Sequence, residues 1–343
     1  MPPRLQAVLD PHLEVHVTAL RPLFYRLGAN EALDRPAHVR AASGLARVGP
    51  FVAVIQDDAN FIALLDIALL GAQFEGAEAV TLPRGPDGTR QFDDLRGNKS
   101  LKLDLEACVV VAEGSDEVLV AFGSGSSPRR ESIVEVRAIA AGRPKVRVLQ
   151  AAELYASLRA ATDFAGSELN IEGAVVIDGC LRLFNRGNGA PRGALLPVNA
   201  SCDLDPTMFL AYLRAPRRAL PPAPKNIVHY DLKSLGGQRL GFTDATLAPG
   251  CAVLFSAAAE ASPSATEDGP VAGSVLGVID RTGRARYAVI RTAAGERFNG
   301  KVEGLLLYPA QKTRLLMVVD QDAPELPSEL CEARLRGPWF EGE

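Results

Sequence analysis

The sequence is poor in residues that mark several common kinds of site. Aromatic residues make up 6% of the 343 residues, with one tryptophan, which disfavours the stacking platforms of a carbohydrate-active protein. The five cysteines are scattered and include no C-x-x-C pair, so the sequence predicts neither a disulfide framework nor a thiolate zinc site. The four histidines do not cluster in the chain.

Several sequence motifs are missing as well. There is no G-x-S-x-G nucleophile elbow and no phosphate-binding GxxxxGK[ST] loop. The opening residues, Met1-Pro2-Pro3-Arg4-Leu5, lack the apolar segment of a signal peptide, and no apolar run approaches membrane-spanning length. The net charge is −4, without a basic stripe. We therefore expect a cytoplasmic protein that binds neither nucleic acid nor membrane. The oligomeric state stays open.

What the sequence does contain is an internal repeat at intervals of about 60 to 70 residues. Each unit has a polar residue, an apolar residue, an acid and a small residue, followed by two apolar strands and a polar loop. The units begin at Ser43-Gly44-Leu45-Ala46, Asp104-Leu105-Glu106-Ala107, Asn170-Ile171-Glu172-Gly173, Phe242-Thr243-Asp244-Ala245 and Lys301-Val302-Glu303-Gly304. The first unit has Gly44 or Leu45 where the others carry the acid.

The repeat predicts an all-β protein, a single β-propeller domain over residues 1–343. Each unit has room for four strands, which is the content of a propeller blade. We predict about five blades, with the strand at residues 13–20 completing the last one. The alternative is six blades, with residues 188–241 supplying the additional strands.

The repeated acids are expected to meet in the central channel. The first strand of each blade lines that channel, and side chains alternate along a strand, so Glu106, Glu172, Asp244 and Glu303 should converge. Close carboxylates repel one another unless a proton, a protein cation or a metal compensates them. An all-oxygen donor set favours Ca²⁺, with Mg²⁺ or Mn²⁺ as alternatives. A polar, water-filled channel balanced by lysines is the other interpretation.

Catalytic and substrate-binding residues are predicted around the same axis. Asp244 or Glu303 would attack, or a bound water would, and Arg186, Lys102 and Lys301 would stabilise negative charge. The lysines also serve as charge-balancing partners. The polar loops at the mouth suggest a substrate rim, for which the candidates are Arg40, Asp58, Arg129, Asn185 and Asn188.

Several of these segments resemble bacterial phytase-like or esterase-like propeller proteins of largely unassigned function. The resemblance rests on Ser43-Gly44-Leu45-Ala46, Asn170-Ile171-Glu172-Gly173-Ala174, Gly241-Phe242-Thr243-Asp244-Ala245 and Glu267-Asp268-Gly269-Pro270. By architecture the chain is also similar to the calcium-dependent gluconolactonases and diisopropylfluorophosphatase, in which separate blades hold calcium on the axis. That similarity implies metal ligation by Glu106, Glu172, Asp244 and Glu303.

Together, these expectations predict that the protein is a metal-dependent hydrolase that acts on a small-molecule ester. Phosphate esters, including phosphotriesters, rank slightly above lactones, because cations are predicted near the mouth. The alternative from a different class is a non-catalytic propeller that binds a ligand or a protein and carries a structural ion. A carbohydrate-active propeller would instead need two carboxylates flanking a groove.

Overall fold

The computed structural model describes residues 1–71, 74–261, 269, 271–308 and 311–340. Its first two strands are β1 (Arg4–Leu9) and β2 (Glu14–Pro22). The next strands form two antiparallel four-stranded arrays. The first array is β3 (Ala42–Val48), β4 (Phe51–Gln56), β5 (Phe61–Asp66) and β6 (Glu78–Thr81). The second is β7 (Leu105–Glu113), β8 (Asp116–Gly123), β9 (Ser132–Arg137) and β10 (Lys145–Gln150).

The remaining strands form three further arrays, and the α-helices of the described residues lie before and inside the third. The third array is β11 (Ile171–Ile177), β12 (Cys180–Asn185), β13 (Asn199–Leu204) and β14 (Lys225–Asp231). The fourth is β16 (Gln238–Ala248), β17 (Ala252–Glu260), β18 (Val271–Ile279) and β19 (Ala285–Arg291), preceded by the short β15 (Ser234–Leu235). The fifth is β20 (Lys301–Leu307), β21 (Arg314–Asp320) and β22 (Glu329–Arg336), to which β2 adds the outer strand. The α-helices are α1 (Ala152–Ala160), α2 (Thr162–Ala165) and α3 (Pro206–Arg214), and short 3₁₀ turns lie at Glu31–Leu33, Ile67–Leu69, Lys99–Leu101, Pro128–Arg130 and Pro249–Cys251.

The first strands of the five arrays form a closed ring. β3 contacts β7, β7 contacts β11, β11 contacts β16, β16 contacts β20, and β20 contacts β3. This is the arrangement of a β-propeller, as predicted. The N-terminal strand β2 pairs with β22, so an early segment of the chain completes the last array, also as predicted.

The apolar core lies between the arrays, which explains the continuous apolar runs in the sequence. Val52 and Val54 of β4 pack toward the fifth array, whereas Ala53 and Ile55 pack toward the second. Because side chains alternate along a strand, a strand buried on both faces must be apolar at nearly every position. Five such apolar clusters close the ring.

Strand β1 lies outside the arrays and joins two of them. Residues 4–6 pair in parallel with β14 of the third array, and residues 7–9 pair in parallel with β19 of the fourth. One short strand therefore covers the outer edges of two neighbouring arrays, which would otherwise present unpaired backbone groups.

Candidate metal centre and active site

Every innermost strand carries a β-bulge at its channel-mouth end. The pairing register shifts by one residue at the same place in all five arrays. The bulged residues are Ser43, Glu106, Glu172, Thr243 and Glu303. A bulge leaves one residue out of the ladder and redirects its side chain, a common device next to functional sites. The five bulges define one layer of the channel.

This layer contains three glutamates and two hydroxyl residues. Ser43 donates its hydroxyl hydrogen to the carbonyl oxygen of Leu105, and Thr243 does the same to that of Val302. The accepting residues both directly precede a bulge on the next strand of the ring. The hydroxyl side chains therefore bind neighbouring arrays together, while the glutamates supply the charge.

Asp244 is displaced by one residue from the predicted acid position, which corrects the alignment of the repeat. Thr243, not Asp244, is equivalent to Glu106, and Ser43, not Gly44 or Leu45, is the equivalent in the first unit. Asp244 is buried, with one carboxylate oxygen accepting the Ala245 N–H and the other the Leu305 N–H, both at 2.7 Å. Its carboxylate is occupied by backbone donors of two arrays, so we assign it a structural role.

Three carboxylates from the first two arrays come together at the mouth. One oxygen each of Asp57, Asp104 and Glu106 lies within 4.8 Å of the others. Within the described residues, Glu172, Asp244 and Glu303 join no such group of three. Asp57 follows β4, and Asp104 precedes β7 with a left-handed φ of 59°. We call Asp57, Asp104 and Glu106 the acid triad.

Protein cations partly compensate the acid triad. The Lys102 ammonium group contacts Asp57 and lies 2.9 Å from Asp104 Oδ1, and Arg130 lies 3.1 Å from the same oxygen. Asp57 Oδ1 is buried and accepts no hydrogen bond. An all-oxygen set with an unpartnered buried oxygen fits a hard divalent cation. The acid triad would hold such an ion.

The pKa values of the three acids in the triad are shifted in different directions. Burial raises the pKa of Asp57 to about 7, with Lys102 opposing and Asp104 adding to the effect. Burial, Asp57 and Glu172 raise the pKa of Glu106 well above its usual range. Burial also acts on Asp104, but Lys102 and Arg130 outweigh it and lower the pKa. The lowered pKa favours the ionised form of Asp104, whereas the raised pKa values of Asp57 and Glu106 favour protonation, which a bound cation would oppose.

Cation-free protein is expected to lose stability as the pH rises. The raised pKa values of Asp57, about 7, and Glu172, about 8, mean that the folded state retains protons that the unfolded state has released. The stabilisation from these retained protons is complete below the pKa values of the unfolded state, near pH 4. It is lost as the pH rises through about 7 to 8. We expect about 4 kcal/mol less stability at about pH 8.5 than at about pH 6, measured by urea unfolding in chelator. Equal or greater stability at the higher pH would contradict these shifts.

The opposite side of the channel forms a second charged group. Arg186 lies 3.3 Å from Glu172 and also contacts Glu260, and Lys301 lies 2.7 Å from Glu303 Oε1. Glu303 is 6% exposed, and its Oε2 accepts no hydrogen bond. Burial raises the pKa of Glu303, against the effect of Lys301 and Arg186. A carboxylate held on one oxygen and unpartnered on the other is suited to take a proton.

A cavity of about 600 Å³ lies above these groups and shares Asp57 with the acid triad. Its charged lining residues are Asp57, Asp58, Asp93, Asp94, Asp320, Asp322 and Lys99. Burial, Asp322 and Asp58 raise the pKa of Asp320 well above its usual range. Phe92, Leu95 and Pro324 supply apolar surface. The mouth is therefore acidic rather than basic.

The predicted substrate-binding residues have different positions. Asp58 lines the mouth cavity, and Arg40 lies behind it, 2.8 Å from Asp58 and 3.1 Å from Asp93. Asn188 accepts a hydrogen bond from Asn170 near Glu172. The buried Asn185 side chain accepts a hydrogen bond from the Asn170 N–H and donates one to the Val198 carbonyl oxygen, and substrate binding by Asn185 stays a prediction.

Arg129 is exposed on the 3₁₀ turn, whereas Arg130 is buried and contacts Asp104, and substrate binding by Arg129 stays a prediction. Asp57, Asp104, Arg130 and Glu260 were not among the predicted metal ligands, catalytic residues or substrate-binding residues. The available signal was their position, since Asp57 directly follows the second strand of its array and Glu260 ends the second strand of another. Most of the segment 267–270, used above for the resemblance, lies outside the described residues.

Comparisons with known proteins extend these observations. The model of a family of unknown function (DUF6929) matches residues 38–335. It gives no phytase-like or esterase-like assignment. No curated protein matches the chain. Among the described helices, none is long and apolar enough to cross a membrane.

Solved structures similar to this chain have low sequence identity to it. They include glutaminyl cyclase from Myxococcus xanthus (14% identity, 98% of this chain and 99% of that one, TM-score 0.45). A gluconolactonase from Xanthomonas campestris has 11% identity over 97% of both chains, with a TM-score of 0.42. A mannose phosphorylase from Leishmania mexicana has 12% identity over 92% of this chain and 88% of that one, with a TM-score of 0.43. With TM-scores below 0.5, these likenesses carry no argument about activity.

Proposed function

This chain belongs to the DUF6929 family of unknown function, and we propose that it is a divalent-cation-dependent hydrolase of lactones or carboxylic esters. The observation that carries the proposal is the acid triad, whose Asp57 also lines the mouth cavity. Ca²⁺ is the first choice of ion, with Mg²⁺ and Mn²⁺ behind it, because all three donors are carboxylates.

The electrostatics of the mouth favour an uncharged reacting group over a phosphate ester. The sequence-based preference for phosphate esters depended on cations available near the mouth. Lys102, Arg186 and Arg40 are each in contact with carboxylates, and aspartates line the cavity. A phosphate group would approach these aspartates against repulsion. A lactone or carboxylic ester carries no such charge.

In the proposed reaction, Glu303 is the general base. Its unpartnered Oε2 takes a proton from a water molecule, whose oxygen bonds to the carbonyl carbon. The bond to the leaving alkoxide oxygen then breaks, and Glu303 returns the proton to that oxygen. Lys301, 2.7 Å from Oε1, orients Glu303 throughout. When bound at the acid triad, the cation supplies polarisation of the ester carbonyl.

A chelation experiment with a substrate panel tests the proposal. Purified protein is assayed on lactones, carboxylic esters, phosphate monoesters and phosphotriesters, before and after treatment with chelator. We expect lactone or carboxylic ester hydrolysis that falls by at least about 100-fold on chelation and returns with one of the three ions. Metal analysis of the same samples identifies the ion.

Two results would contradict the proposal. Hydrolysis that is unaffected by chelation would remove the cation from the reaction. An ion that raises the melting temperature, with no turnover of any ester, would favour the non-catalytic propeller with a structural ion.

A further inference from the structure

Lys102 occupies the position that a cation at the acid triad would need. Its ammonium group contacts Asp57 Oδ2 and lies 2.9 Å from Asp104 Oδ1. Lys102 is 5% exposed, and the nearby carboxylates hold its pKa above the usual range despite its burial. The ammonium group is therefore a permanent charge at neutral pH. It is bonded to two of the three carboxylates that a divalent ion would use.

An ammonium group and a divalent cation cannot share these carboxylates at contact distance. Two positive charges a few ångströms apart in a buried site repel strongly. A single ammonium also compensates the three acids less completely than a divalent ion, since Glu106 has no hydrogen bond from Lys102. Cation binding and the present position of Lys102 thus exclude each other.

The surroundings of Lys102 offer its side chain a second position. Lys102 directly follows the 3₁₀ turn Lys99–Leu101, on a segment that lines the mouth cavity through Asp93, Asp94 and Lys99. Asp58 lines the same cavity and directly follows Asp57, the residue that Lys102 contacts. Asp58 Oδ1 is buried and accepts no hydrogen bond. A flexible lysine stem can turn from the triad toward this oxygen without leaving acidic surroundings.

We propose that Lys102 is an internal competitor for the divalent cation, and that its ammonium group moves from Asp57 and Asp104 toward Asp58 when the cation binds. This inference rests on the proposed function, because it assumes that the acid triad binds a cation. The competition makes cation occupancy of the acid triad depend on the free concentration of the ion, because the Lys102 ammonium group fills the site when that concentration is low.

Titration calorimetry with Ca²⁺ alone tests the competition. Lys102→Met keeps most of the side-chain volume and removes the charge, so it should bind Ca²⁺ at least about tenfold more tightly than the unaltered protein. Lys99→Met, the matched control, removes a lysine from the same segment outside the acid triad and should leave the affinity nearly unchanged. Circular dichroism melting checks that each variant is folded.

Chemical labelling tests the movement without any substitution. Lys102 should resist acetylation in chelator and become modified in saturating Ca²⁺, measured by peptide mass spectrometry against the exposed Lys145. Asp58→Asn, which removes the proposed second partner, should weaken Ca²⁺ binding more than Asp94→Asn does at the same mouth.

The outcomes separate the two proposals. Equal or weaker Ca²⁺ binding by Lys102→Met, or unchanged labelling of Lys102, overturns the competition and leaves the cation site in place. No Ca²⁺, Mg²⁺ or Mn²⁺ binding by either protein overturns the cation site, and with it both the proposed function and this inference.

Discussion

Glu106→Gln is expected to abolish cation-dependent hydrolysis while leaving the propeller folded. The substitution keeps the shape of the side chain and removes one of three carboxyl groups whose oxygens lie within 4.8 Å of one another. Loss of a residue that only hydrogen-bonds to a metal ligand lowers metal affinity by about 10- to 100-fold, and loss of the ligand itself should lower it further. We expect cation affinity to fall by at least about 100-fold and kcat/KM by about 1,000-fold. Calorimetry and ester assays measure the two effects.

Glu172→Gln is the matched control for this prediction. Glu172 occupies the equivalent bulge in the next array but lies outside the acid triad. Its loss should reduce cation affinity far less than loss of Glu106. If the two variants lose cation affinity equally, the acid triad does not hold the ion by itself, and the predicted ligand set of Glu106, Glu172, Asp244 and Glu303 is favoured.

Asp244→Asn is expected to destabilise the fold. Both oxygens of Asp244 accept backbone N–H groups, one on its own strand and one on the neighbouring inner strand. An asparagine side chain must turn its NH₂ group toward one of these donors, which leaves two buried donors facing each other. The loss should be about 2 to 4 kcal/mol in the free energy of unfolding, measured by urea denaturation.

Asp178→Asn provides the comparison for Asp244. Asp178 is exposed in the turn between β11 and β12, where asparagine is well tolerated at positive φ. It should change stability by less than about 0.5 kcal/mol. An Asp244→Asn protein that keeps its stability but loses cation binding would restore Asp244 as a ligand.

The repeat was sufficient to predict the architecture because each blade repeats the same burial pattern. Paired apolar strands followed by polar loops predicted the all-β propeller and the closure by β2. The bulges, by contrast, are properties of strand pairing and leave no composition signal. The polar-apolar-acid-small pattern therefore aligned Asp244 with Glu303, although the pairing makes Thr243 the equivalent residue.

The sequence predicted only part of the site, because strand pairing and backbone geometry again decide which residues meet. Glu106 was identified from its strand, but its partner Asp57 follows the second strand of the first array, and Asp104 precedes the first strand of the second array. Their meeting depends on the bulge and on the left-handed backbone at Asp104, which interrupt regular alternation. Arg129 and Arg130 are chemically identical in the sequence, and only the turn geometry buries one and exposes the other.

The placement of β1 and β2 has a consequence for how the protein is made. Both strands are synthesised before every strand with which they pair, and β2 finds its partner β22 near the opposite end of the chain. The ring therefore cannot close before β22 has been synthesised. Until then one edge of β2 stays unpaired, which is the interval in which chaperone binding would matter most.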